Sequence, residues 1–73
     1  MKSHIFTLNN DSEYITLDNL LKLMRLVGSG GEAHYVIQEG MVLFNGSIAV
    51  EKRKKIRAGD TVVFNNESIT VKA

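Results

Sequence analysis

Lys52-Arg53-Lys54-Lys55-Ile56-Arg57 sets five cations in six consecutive positions. Such a run repels itself, and only Glu51 and Asp60 stand nearby to neutralise it. Lysine-rich segments often do no more than keep a sheet edge soluble. A phosphate backbone would do more, since it neutralises the cations and releases condensed counterions. The run alone leaves both readings open. Charge along the chain adds to it. Residues 1–51 carry Lys2, Lys22 and Arg25 against Asp11, Glu13, Asp18, Glu32, Glu39 and Glu51, a net −3. Residues 52–73 carry Lys52, Arg53, Lys54, Lys55, Arg57 and Lys72 against Asp60 and Glu67, a net +4, although the whole chain has a formal charge of only +1. An imbalance of this kind points to an anionic partner.

Gly28-Ser29-Gly30-Gly31 is the second candidate. Free amides at a helix start, with no Cβ in the way, can bind an anion. A nucleotide-binding loop needs Lys-Ser/Thr after its glycines, and Glu32 stands there instead. A turn that caps a helix explains these residues more simply, and any phosphate they met would belong to a polymer backbone. The two histidines, His4 and His34, fall in different elements without metal-ligand spacing. His34 is expected at a solvated surface position. Cysteine is absent, which excludes thiol catalysis and thiolate metal sites. No carboxylate pair is placed for acid–base work. The residues therefore argue against an enzyme and call for no cofactor.

These candidates need a scaffold. Seventy-three residues make one domain, 1–73, because two halves would each be too small to hold a core. A hydrophobic content of 44% and a charged content of 23% are those of a globular chain. No apolar run approaches the ~20 residues of a membrane span, and Met1-Lys2-Ser3-His4 begins no signal peptide. The expectation is a soluble, cytoplasmic monomer.

Leu17, Leu20, Leu21 and Met24 recur at helical spacing, with Thr16 placed to cap and Asp18 in the first turn. This helix ends by Gly28. Ser29 and Glu32 fit a capping box for a second helix, with Ala33, Val36 and Ile37 on one face. Gly40 closes it in left-handed geometry, where Met41 can add a hydrophobic contact. Ser3–Leu8 reads as a strand, and Asn9-Asn10-Asp11-Ser12 as a turn. After Gly40 the pattern is strand throughout. Asn45-Gly46 marks a hairpin between Val42-Leu43-Phe44 and Ile48-Ala49-Val50. A two-residue loop would pair Leu43 with Ile48. A three-residue loop, 45–47, would pair Phe44 with Ile48 and Val42 with Val50; it is preferred because it buries four apolar residues. Alternation must break near residue 51, or Lys52 and Lys54 would enter the core. Ile56 re-anchors the basic segment, and Arg57-Ala58-Gly59-Asp60 is a turn. A last hairpin turns at Asn65-Asn66-Glu67. The aromatic residues Phe6, Tyr14, Tyr35, Phe44 and Phe64 are mostly expected in the core, which argues against a platform for single-stranded bases.

A leucine-rich helix, a Ser-capped helix, Gly40-x-Val42-x-Phe44-Asn45-Gly46, a basic segment and Gly59-Asp60-x-Val62 come in an order that resembles the S-four RNA-binding domain. Ile15-Thr16-Leu17, Ser29-Gly30-Gly31-x-Ala33 and Glu51-x-Arg53-x-Lys55-Ile56 are similar to its stand-alone bacterial YaaA/YbcJ type. The resemblance covers about residues 14–72. It implies an α+β fold: two short helices packed on a small antiparallel sheet, the αL-type RNA-binding motif, with an additional strand at the N-terminus. It also implies binding of structured ribosomal or transfer RNA without catalysis, with a ribosomal subunit under assembly as the expected setting. Many members place basic residues where Gly30 and His34 stand here. Binding is therefore expected to lean on Arg53, Lys54 and Lys55, with Lys52 and Arg57 beside them. Lys22, Arg25, Ser29, Gly30 and Gly31 complete the candidate set. The alternative is a protein-interaction module that docks an acidic protein partner through the basic loop. A sulfur or ubiquitin-like carrier is disfavoured, because the chain ends Thr70-Val71-Lys72-Ala73 and not Gly-Gly.

Overall fold

The computed structural model describes residues 1–9 and 12–73. In chain order the elements are β1 (Lys2–Thr7), β2 (Ile15–Thr16), α1 (Leu17–Leu23), α2 (Gly30–Gln38), β3 (Val42–Phe44), β4 (Ser47–Ile48), β5 (Lys55–Ile56), β6 (Thr61–Phe64) and β7 (Glu67–Lys72). One sheet has the order β1-β7-β6-β3-β4, and β2 pairs with β5 in a separate ribbon. The turn expected over Asn9–Ser12 includes Asn10 and Asp11, which lie outside the described residues; Ser12 N donates to Asn9 O at 2.9 Å.

Leu17, Leu20 and Leu21 of α1 and Ala33 and Ile37 of α2 are fully buried, as are Val42, Ile56, Val62, Ile69 and Val71 from the strands. The apolar stripes of the two helices therefore cover one side of the sheet. All pairings among β3, β4, β6 and β7 are antiparallel. The N-terminal strand differs: β1 lies parallel to β7, Lys2 against Glu67 through Thr7 against Lys72, so the sheet is mixed. His4 meets Glu67 Oε1 through Nε2 at 2.9 Å and ties this pair across the strands.

Turn chemistry decides the hairpin registers. Asn45 and Gly46 both take positive φ, 48° and 88°, the signature of a two-residue primed turn. Phe44 thus faces Ser47, and Leu43 faces Ile48. The three-residue loop expected from burial does not form. The twist-matched turn outweighs the extra apolar area, so Ala49 goes inward while Ile48 and Val50 stay 63% and 68% exposed. The last hairpin follows the same rule. Asn65 and Asn66 have φ of 51° and 64°, and Glu67 joins the strand opposite Phe64 instead of lengthening the loop.

Both helices end in a left-handed residue. After α2 the Gly40 amide bonds Ile37 O and the Met41 amide bonds Val36 O, at 3.1 and 3.0 Å, with Gly40 at φ 74°. Met41 itself is half-exposed and adds little apolar contact. After α1 the same pair of bonds runs from Arg25 to Lys22 O and from Leu26 to Leu21 O, both at 3.0 Å. The helix therefore stops several residues before Gly28, and Arg25 occupies the left-handed position at φ 59°. A side chain with a Cβ is strained there, by ~1 kcal/mol.

Leu21→Ala removes a fully buried side chain from the helix–sheet contact and is expected to cost roughly 2 to 5 kcal/mol in a denaturant melt. Arg25→Gly is expected to act in the opposite direction, raising stability by up to about 1 kcal/mol in the same measurement.

Candidate nucleic-acid interface

The basic segment is a turn fastened to the start of α1. Ile15 pairs with Ile56 and Thr16 with Lys55 in the β2–β5 ribbon. Immediately beyond, Leu17 N donates to Lys54 O at 2.9 Å and Asp18 N to Lys52 O at 3.0 Å. A helix start leaves its first amides without partners inside the helix. Here the main chain of the basic turn supplies two of them. Thr16 stands at the N-cap but makes no side-chain capping bond. Its role is taken by the carbonyls of Lys52 and Lys54, while its buried hydroxyl lies beside the Asp18 carboxyl.

The side chains of this turn point away from those anchors. Lys52, Arg53, Lys55 and Arg57 are exposed, and Lys54 is half-buried. Lys54 Nζ lies 4.6 Å from the centroid of Phe44, and Lys55 Nζ lies 5.0 Å from that of Tyr14. Each aromatic ring steers a lysine stem while its ammonium stays available. Among the described residues no cation between 52 and 57 forms an ion pair. Buried Ile56 holds the segment down, and Arg57 lies past it, where its amide donates to Asp60 Oδ2 at 2.8 Å.

Arg53 opens on a cleft shared with Tyr14, Thr16 and Asn19. Asn19 and Lys22 are three apart on α1 and so are surface neighbours. The Lys22 stem in turn passes 3.9 Å from where a Cβ on Gly30 would sit. Arg53, Asn19, Lys22 and the first residue of α2 thus form one flank, which joins Lys22 to the basic turn. Arg25 lies past the end of α1, in the linker between the helices.

Ser29 caps α2 as expected, its Oγ accepting from Glu32 N at 3.2 Å. The Glu32 carboxylate reaches further back than a capping box requires, and Gly28 N donates to its Oε1 at 2.6 Å. The chain's own anion therefore occupies the first amide of the Gly28–Gly31 stretch. Gly30, at the helix start, lies beside the Lys22 stem.

His34 is not a free surface residue. Its Nε2 lies 3.0 Å from Oδ2 of Asp18, which is only 8% exposed, and Asn19 N donates to Oδ1 at 2.8 Å. Burial pushes the Asp18 carboxyl upward. The nearby Thr16 hydroxyl, His34 ring and Asn19 amide outweigh it, and the carboxyl sits below its ordinary value of 3.8. An ionised carboxylate only accepts, so Nε2 is the donor. The sequence signal for this link was slight: an acid in the first turn of one helix and a histidine mid-way along the next. Of the five aromatic residues, Phe64 is buried and Phe6 and Phe44 pack against the core, as expected of most of them, while Tyr14 and Tyr35 are 40% and 62% exposed.

A ribbon-anchored basic turn, two short helices and a sheet, in this order and spacing, define a known class. The chain belongs to the S4 domain family, whose model matches residues 6–72. It is 42% identical over 60 residues to YbcJ of Escherichia coli K12, a match covering 82% of this chain and 86% of the relative. The Shigella flexneri YbcJ protein matches with the same identity and coverage. The solution structure of Escherichia coli YbcJ superposes with a TM-score of 0.72 at 39% identity, over 94% of this chain and 86% of that one. That protein is described as carrying an αL motif involved in RNA binding.

Asp18→Asn is expected to destabilise the fold by about 1 to 3 kcal/mol near neutrality, because it breaks a buried, charge-assisted contact. The folded state holds the Asp18 proton less tightly than the unfolded chain. The carboxylate's contribution is thus fully present above pH 3.8 and is lost as pH falls through the lower folded value. Urea melts of parent and variant should converge as pH drops from 6 towards 3.

Proposed function

We propose that this chain binds structured RNA without catalysing a reaction on it, and that the turn at 52–57 is its principal contact. The observation that carries the reading is a set of exposed cations, unpaired among the described residues, on a turn whose own main chain is locked onto α1. A polyanion meets these charges without reorganising the protein. The resemblance of YbcJ supports the same reading, since its αL motif is described as involved in RNA binding. Lys22, Gly30 and Gly31 extend the contact along the flank, and Arg25 and Ser29 lie at its margin. The fitting substrate is a helical element of ribosomal or transfer RNA, read by shape and phosphate spacing. Its place is the cytoplasm, where the monomer acts on a ribosomal subunit during assembly.

A salt titration tests this. If about four of these side chains meet phosphates, the slope of log K against log salt should be near −3.6, at roughly −0.9 per contact. Arg53→Ala should lower the slope by about one unit and weaken binding to many RNAs alike, with stability changed by less than about 0.5 kcal/mol. Arg53→Lys should recover part of the affinity if the contact is a point charge, and little if the guanidinium grips a phosphate bidentately. Unchanged affinity and slope in Arg53→Ala and in Lys54→Ala/Lys55→Ala would move the site elsewhere. Complexes in cell extract that survive RNase would instead favour an acidic protein partner.

A further inference from the structure

The cleft beside the basic turn has chemistry that a phosphate track does not need. Glu13 lines it together with Arg53, Asn19 and Tyr14. A carboxylate repels phosphate, so a surface built for backbone contacts alone gains nothing from it. Tyr14 is 40% exposed, and the Lys55 ammonium stands over its ring at 5.0 Å, which steadies the ring beside the opening. Among the described residues, the Arg53 guanidinium and the side-chain amide of Asn19 make no hydrogen bond. One aromatic surface, a donor fork and a carboxylate acceptor within one open cleft match a nucleobase in polarity, and the cleft has room for one.

We propose that this cleft receives a single unpaired guanine extruded from the bound RNA. The inference rests on the RNA reading above and adds to it a nucleotide-specific pocket. Unstacked bases are the part of an RNA that side chains can read by both face and edge. Tyr14 offers its ring to the face of the base. On fully paired RNA Arg53 meets phosphate as above; where a guanine is extruded, it turns to donate to guanine O6 and N7, the pairing that its fork geometry favours. Glu13 accepts from N1–H and the N2 amino group. The other bases fit less well. Adenine turns an acceptor, N1, towards the carboxylate, and cytosine and uracil each offer a single donor group on that edge. Asn19 joins the pocket to Lys22 along α1, so the phosphates flanking the extruded base would run onto the cationic flank.

The test is a set of hairpin RNAs with one common stem, either fully paired or carrying a single bulged G, A, C or U. Dissociation constants are measured for the parent, Tyr14→Ala, Tyr14→Phe and Glu13→Gln. The bulged-G hairpin should bind about tenfold tighter than the paired stem, within the range of one base–aromatic stack. Tyr14→Ala should abolish that gain, so that bulged-G and paired hairpins bind alike, while Tyr14→Phe should keep it. Glu13→Gln should erase the preference for G over A. Equal affinity for every hairpin, with stem binding intact, overturns the pocket and leaves the RNA reading standing. Equal loss on all hairpins in Tyr14→Ala overturns it too, because Tyr14 would then serve only the phosphate surface. A Glu13→Gln variant that still prefers G removes the guanine assignment. No binding to any hairpin overturns both readings together.

Discussion

Two main-chain hydrogen bonds, from Leu17 and Asp18 to the carbonyls of Lys54 and Lys52, hold the candidate interface in place. They satisfy a helix start that has no side-chain cap. They also fix the backbone of a turn whose side chains repel one another. Neither segment is well formed alone. A seven-residue helix is too short to persist in water on its own propensity, and a run of like charges favours extended, solvated chain. Joined, each supplies what the other lacks. Asp18 completes the arrangement: its amide faces the basic turn, and its carboxylate reaches His34 on α2. The turn, the first helix and the second are thereby held by a single residue.

This coupling makes the charge pattern intelligible. The positive end of the α1 dipole lies beside the cations and adds to their field. Asp18 offsets that field from within the protein and leaves the outer surface positive. Phe44 and Tyr14 restrain Lys54 and Lys55 from their apolar sides, so less side-chain freedom remains to be lost when an anion binds.

Much of the scaffold was legible in the residues because local chemistry set it. The stripe of Leu17, Leu20 and Leu21, the Ser29 cap, the left-handed Gly40 and the inward Ile56 stand where spacing and turn rules place them. The hairpin around Asn45-Gly46 shows where a burial argument fails. Burial favoured three loop residues, while backbone twist favoured two, and twist won. The ends of the first helix show another limit. Arg25 has no sequence preference for left-handed backbone, and a cap made of distant carbonyls leaves no local motif. The cations of the basic turn were visible as a run. The cleft around Arg53 was not, because it is assembled from Glu13 and Tyr14 before the first helix, Asn19 within it and a turn more than thirty positions later.

The strand order has a consequence for how the chain acquires its shape. β7 lies between β1 and β6, so the first strand made has its sheet partner only after the last strand exists. During synthesis β1 waits with both edges open while the helices and middle hairpin emerge. Joining ends more than sixty positions apart carries a loop-closure cost before any pairing rewards it. Closure of β1 onto β7 is thus a late step, after which β1 becomes an outer edge. Until then the nascent chain presents an unpaired strand that holds Ile5 and Phe6, and early release or crowding on a ribosome would favour its pairing with a neighbouring chain.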